Sequence, residues 1–306
     1  MAHIINELYR RFCDENIVGK FIYANVAIYL VFVVLGVLAT LMNVVSPIVE
    51  IVSWLQLPAA PEKLLFQPWS IFTYMFLHGS FAHILWNMFA LYVFGRIFLT
   101  FYSTQHFIGV YLLGGVVGGL FFVLAYNIFP YFEGVTDSSY LVGASAAVLA
   151  IITAAAVRSP NYMVNLFLFG PVKLMTLAII TVVVSFLLLS SENAGGNFAH
   201  LGGAFAGWFF AVMLDKGRDL TSFSRVMINA YNWSRDKIKS LFKKHAKGPR
   251  TDKTQKSAKH SSDYEYNARK KERNDNIDII LEKIKKSGYS SLTEDEKRTL
   301  FDASGK

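Results

Sequence analysis

One cysteine, Cys13, occurs in 306 residues, so no internal disulfide framework can hold this chain. Charge is scarce over the first two thirds. Residues 1–215 carry 7 Lys/Arg and 9 Asp/Glu, whereas residues 216–306 carry 23 and 13. So little charge, with a mean hydropathy of +0.36, excludes an ordinary soluble domain. A removable leader is not expected: a polar stretch with Arg10, Arg11 and Lys20 runs into a long apolar segment without a cleavage site, the pattern of a signal anchor. Tandem repeats and nucleic-acid motifs are lacking too. The net charge of +8 belongs to the tail. A basic segment just after an apolar span reads as a cytoplasmic orientation signal rather than a nucleic-acid surface.

What is present is apolar: 53% of residues are hydrophobic. They gather in six runs, roughly 22–43, 82–103, 107–128, 144–157, 173–190 and 198–214, near the length that crosses about 30 Å of hydrocarbon. The expected fold is an all-α polytopic membrane protein, a six-helix bundle over residues 22–215 behind a cytoplasmic segment 1–21. Arg10, Arg11, Lys20, Arg96, Arg158 and Lys173 mark alternate loops, which predicts cytoplasmic termini by the excess of basic residues inside. The outward loop 44–80, with "IVSWLQL", is too short and broken to span and reads as re-entrant or interfacial.

Beyond the last run, residues 216–245 have the composition of a basic amphipathic segment suited to anionic lipid or to a stop-transfer extension. Residues 246–275 are a polar linker. Residues 276–306 read as a small helical hairpin, its second helix opened by a capping box from Thr293 to Glu296.

Polar side chains inside membrane spans are costly and each needs a reason. Those that stand out here are His83 and Asn87, Ser145, and His200. Counted from the charged end of its own helix (Arg96, Arg158 or Asp215), each of His83, Ser145 and His200 lies about 20–22 Å away at 1.5 Å per residue. Three distant segments thus set a serine and two histidines at one depth, with Asn87 one turn beyond His83. The fourth run is short, about 21 Å, so its outer end stops inside the membrane. Irregular backbone at that depth is tolerated only beside protein or a wet cavity, and "SSYLVG" would deliver Ser145 there.

A serine beside a histidine can attack an acyl carbon while the imidazole takes and returns the proton. No carboxylate lies at that level to orient the ring, so a dyad is expected rather than a triad. Oxyanion donors would be the first N–H groups of the fourth helix, helped by His83 and Asn87. Gly143, Ala144, Ala146 and Ala147 bracket the serine. Gly203 and Gly207 form a GxxxG pair that lets helices approach closely.

Bland readings stand beside this one. A serine in a membrane helix commonly bonds its own i−4 carbonyl. A second reading has His83 hold a metal with His78 and His200, but without carboxylate or cysteine there no zinc site is expected. His78, His106, His245 and His260 read as interfacial or solvated. A small transporter would want polar residues through the whole thickness, and "FALYVF", "AVLAIIT" and "WFFAV" are apolar.

The set "HGSFAHILWNMFALYVFG", "GASA" and "AHLGGAFAG", in this order, resembles the rhomboid family of intramembrane serine proteases over residues of about 20–215. The resemblance implies Ser145, after Gly143 in a G-x-S motif, as nucleophile and His200 as base. His83 and Asn87 would assist the oxyanion. His78 and Trp69 match further family positions. Ala146, Ser70 and Leu149 depart from the family's common glycine, arginine and aromatic. The tail after 275 is reminiscent of an extension on some bacterial rhomboids, which implies a bacterial inner membrane. The implied activity is cleavage of membrane-anchored substrates in or near their transmembrane segments, with no cofactor, metal or nucleic acid. A catalytically inactive relative that binds transmembrane helices is the alternative.

Overall fold

The computed structural model describes residues 16–166, 170–226, 228, 229, 233, 280, 283 and 292–297. The expected linker 246–275 lies outside them, as do Arg10, Arg11, His245, His260 and much of the segments 216–245 and 276–306. The chain divides into two compact units, Met1–Arg235 and Asp236–Lys306.

In the first unit each expected apolar run is a helix. In chain order these are α1 (Ile17–Leu41), α2 (Ser46–Leu55), α3 (Pro61–Phe66), α4 (Ser70–Thr73), α5 (Phe81–Phe101), α6 (Thr104–Ile128), α7 (Ser145–Arg158), α8 (Leu174–Leu187) and α9 (Ala194–Asp215). Their starts carry the usual signals. The Oδ1 of Asn16 accepts from Gly19 N at 3.0 Å, and the hydroxyls of Ser80 and Ser103 accept from His83 N and His106 N. Four helices, α1, α5, α6 and α9, are long and apolar enough to cross a membrane. The helices α7 and α8 have 14 residues each, about 21 Å, and are too short to do so by length alone.

The short α7 is central. Ten of its residues, from Ala146 to Ala156, are buried, and α5, α6, α8 and α9 pack around it. Its alanines allow this. A Cβ on Gly203 or Gly207 of α9 would stand 2.1 Å from the carbonyl oxygens of Ala146 and Ala150. Cβ atoms on Gly118 and Gly114 of α6 would meet the Cβ atoms of the same two alanines at 2.6 and 2.3 Å. Small residues on three helices thus bring the backbones together, and dispersion over that contact holds them where lipid gives no hydrophobic drive. By contrast α1 and α8 face outward along most of their length, with Leu41, Phe186 and Leu187 exposed.

Two short antiparallel pairs join the helices. β1 (Leu57–Pro58) pairs with β2 (Tyr140–Leu141), which ties the loop after α2 to the segment entering α7. β3 (Met163–Leu166) and β4 (Gly170–Lys173) form a hairpin between α7 and α8. The long loop itself is structured. Trp69 stacks on Trp54 at 5.8 Å and donates its Nε1–H to the Trp54 carbonyl at 2.9 Å. The hydroxyl of Thr73 donates to the Leu55 carbonyl, and the amide of Gln67 to that of Gln56.

In the second unit the capping box is present. Glu296 N donates to Thr293 Oγ1, and Thr293 N donates to the Glu296 carboxylate, which also pairs with Lys283 at 2.8 Å.

Candidate active site

Ser145 is the first residue of α7, and the backbone before it explains its placement. Gly143 has φ +120°, a conformation that side chains rarely adopt. Its N–H donates to the Tyr74 carbonyl at 3.0 Å, anchoring the turn against the loop before α5. A Cβ at Gly143 would also strike the His83 ring, 2.7 Å from Nε2. Glycine is therefore required twice over, once for the backbone and once for the imidazole.

Ser145, His200, His83 and Asn87 line one open cavity of about 520 Å³, with Trp86, Val148, Leu149 and Thr181 among its walls. The side chains come from α5, α7 and α9, as expected from their shared depth. Ser145, His83 and His200 are half-buried and reach the cavity, so none is sealed in dry packing. Asn87 is buried, and its Nδ2 donates to the His83 carbonyl at 2.8 Å, which leaves a second amide hydrogen for another acceptor. The first N–H groups of α7, beginning with that of Ser145, have no intrahelical acceptor. Among the described residues no hydrogen bond joins Ser145 to His200, so proton transfer between them needs the ring and hydroxyl to close.

The other ring nitrogen of His200 is engaged. Its Nδ1 lies 3.1 Å from Ser185 Oγ on α8. The sequence offers no carboxylate as the ring's partner, and a single serine in "TVVVSFLLL" does not mark itself as one.

Two further histidines are half-buried. In His78 both ring nitrogens are buried without a hydrogen-bond partner, and its ring lies 5.1 Å from that of His83. The loop before α5 folds inward there, so a residue outside the helix packs beside one inside it. His106 is partly exposed. It packs against Tyr102 and Phe210, with Nε2 3.8 Å from Asp219 Oδ2. The chain beyond α9 folds back onto the start of α6 and covers it. Among the described residues no group of three or more His, Cys, Asp or Glu side chains could hold a metal ion.

Residues 65–216 match the family model of the rhomboid domain. The chain belongs to the rhomboid family. Residues 260–306 match a second model, a family of unknown function. Among curated proteins the chain is similar to the RHOMBOID-like protein 12, mitochondrial, of Arabidopsis thaliana, 30% identical over 158 residues. The match covers 49% of this chain and 47% of the relative, so the chain spans about half the length of the curated relative it matches. The rhomboid match begins in α3 and ends just after α9, so it takes in the whole cavity. It leaves out α1, whose buried Val18 and Asn25 face the bundle.

Proposed function

We propose that this rhomboid is an intramembrane serine endopeptidase that hydrolyses peptide bonds in or near the transmembrane segments of other membrane proteins. One observation carries the reading: Ser145, His200, His83 and Asn87, from three helices, converge on one open cavity inside a largely apolar bundle. Buried polar groups are expensive in such a setting unless the site uses them.

In the proposed reaction Ser145 Oγ attacks the substrate carbonyl carbon while its proton passes to His200 Nε2. The C–N bond then breaks, and His200 returns the proton to the leaving amine. Water attacks the acyl-enzyme with the same base, releasing the acid and restoring the Ser145 hydroxyl. The developing oxyanion would be met by the free N–H groups at the start of α7 and by the amide of Asn87, with His83 close to the same point. Hydrogen bonds of this kind commonly tighten only when substrate is bound, which accommodates the open Ser145–His200 pair.

The reading extends to setting and partners. The six-helix bundle would sit in a bacterial inner membrane with both termini cytoplasmic, in contact with lipid and with transmembrane substrates, α7 and α8 reaching only part-way through the hydrocarbon as helix. Arg96, Arg158 and Lys173 support that orientation. The proposed organisation keeps the membrane domain at 22–215, followed by the basic segment, linker and terminal hairpin.

The test is a fluorophosphonate probe together with cleavage of a model transmembrane substrate by the full chain in detergent or liposomes. Labelling and cleavage are expected for the natural sequence and not for Ser145→Ala; His200→Ala should also lose cleavage. Cleavage retained by Ser145→Ala would remove it as the nucleophile. A natural protein that neither labels nor cleaves, yet retains transmembrane helices, would turn the assignment toward helix binding without catalysis.

A further inference from the structure

The helix α8 is mostly turned outward, yet it is buried at Leu174, Ala178 and Ser185, which lie along one inward face. Ser185 is 3% exposed. Hydroxyls and amides inside membrane helices usually donate to a carbonyl one turn back, and this chain follows that habit. Thr40 bonds Gly36, Asn87 bonds His83, Thr100 bonds Ile97 and Thr181 bonds Leu177. Ser185 departs from it. Its hydrogen bond among the described residues crosses to another helix, 3.1 Å from His200 Nδ1.

Building on the peptidase reading above, we propose that Ser185 is a positioning residue that accepts a hydrogen bond from the Nδ1–H of His200 and orients the ring behind the Ser145–His200 dyad. The chemistry fixes the direction. A base that takes the Ser145 proton needs its lone pair on Nε2, which requires the hydrogen on Nδ1, and that N–H then needs a buried acceptor. Once His200 is protonated both ring nitrogens are donors, so Ser185 must accept in the charged state as well. No proton moves to Ser185 at any step. The hydroxyl selects the tautomer and holds the ring plane, the part a carboxylate plays in a triad. A neutral hydroxyl does so in an apolar layer without the desolvation cost of a buried charge. Elsewhere on α8, Ile180, Val183 and Val184 are apolar and exposed, and the Thr181 hydroxyl donates to the Leu177 carbonyl and makes no hydrogen bond to His200 among the described residues.

Two variants of equal shape separate orientation from packing. Ser185→Thr keeps the hydroxyl and Ser185→Val does not. In the full-length protein, Val is expected to lower kcat about tenfold or more with KM within about twofold, while Thr stays near the natural rate. Nitrogen-15 spectra of histidine-labelled protein, with the His200 signal assigned by its loss in His200→Ala, should show Nδ1 protonated in the natural chain and in Thr. In Val that preference should fall. Equal rates for Val and Thr would overturn the proposal, as would an Nδ1 without its hydrogen in the natural protein. If the natural protein shows no cleavage and no Ser145 labelling, the peptidase reading fails instead, and the spectra still decide whether Ser185 sets the His200 tautomer.

Discussion

Gly203 of α9 lies against Ala146 of α7 so closely that a Cβ on the glycine would stand 2.1 Å from the alanine carbonyl oxygen. The obstacle is backbone, so no rotamer change relieves it. Ala146 follows Ser145 directly, and Gly203 is one turn from His200, so this contact sets the spacing of the proposed dyad. Gly203→Ala should push α7 and α9 apart, at a cost of about 1–3 kcal/mol, and should lose Ser145 labelling. Gly36→Ala in α1 is the control, because nothing lies within 4 Å of a Cβ there. It should be neutral or stabilising by up to about 1 kcal/mol. Thermal unfolding in detergent and probe labelling read both. A Gly203→Ala protein with natural stability and labelling would show that the helices give way without consequence.

Gly143 tests the turn that presents the serine. An alanine there must take φ near +120° and strike His83 Nε2, at a cost of order 1–3 kcal/mol in backbone strain alone. The lesion is local, since Gly143 lies before α7 and outside the helix–helix contacts. Gly143→Ala should therefore keep the helical content of the bundle while cleavage falls by about tenfold or more. Unchanged cleavage would mean that His83 need not stay where it packs.

Much of this was legible in the chain. The six apolar runs match six helices to within a few residues, because length and hydropathy are local properties. Ser145, His83 and His200 could be placed on one level from helical rise alone, with Asn87 one turn beyond His83, and the structure brings all four to one cavity. The GxxxG pair was readable too. The glycines of α6 were not singled out, because their partners Ala146 and Ala150 are distant in sequence. The β1–β2 pair is two residues long on each side, and such strands exist only through the tertiary contact that forms them. Ser185 was invisible for a related reason. Nothing in "TVVVSFLLL" says which way a hydroxyl points until α9 is packed beside α8.

Asn87 sits one turn below His83 with one amide hydrogen committed to the His83 carbonyl. In the proposed reaction the other stabilises the oxyanion, so Asn87→Ala should lower kcat by tenfold or more, about 1.4 kcal/mol of barrier, while Ser145 labelling remains detectable. The helix should survive, because the His83 carbonyl keeps its place in the backbone ladder. Single-turnover kinetics with a model substrate separates this from a binding defect. A pure rise in KM would move Asn87 from oxyanion support to substrate binding.

Asp219 tests the fold-back of the chain after α9. Its Oδ1 accepts from Thr221 N at 2.8 Å and from Thr221 Oγ1 at 2.6 Å, while His106 and Arg225 face Oδ2 at 3.8 and 3.5 Å. Burial pushes this carboxyl up, but the two Thr221 hydrogen bonds and the neighbouring His106 and Arg225 outweigh it and hold the group below its ordinary 3.8. A lowered folded value means that the carboxylate stabilises the fold fully above pH 3.8 and loses that contribution as the pH falls through the lower folded value. Asp219→Asn should therefore lower the thermal midpoint near neutral pH, and the gap to the natural protein should close in acid. The clasp also packs Thr221 onto Gly109, where a Cβ would come within 2.2 Å of the threonine Cβ, so Gly109→Ala should loosen it at every pH. A gap for Asp219→Asn that stays constant from neutral to strongly acid pH would show that the carboxylate's charge has no part in holding the segment down.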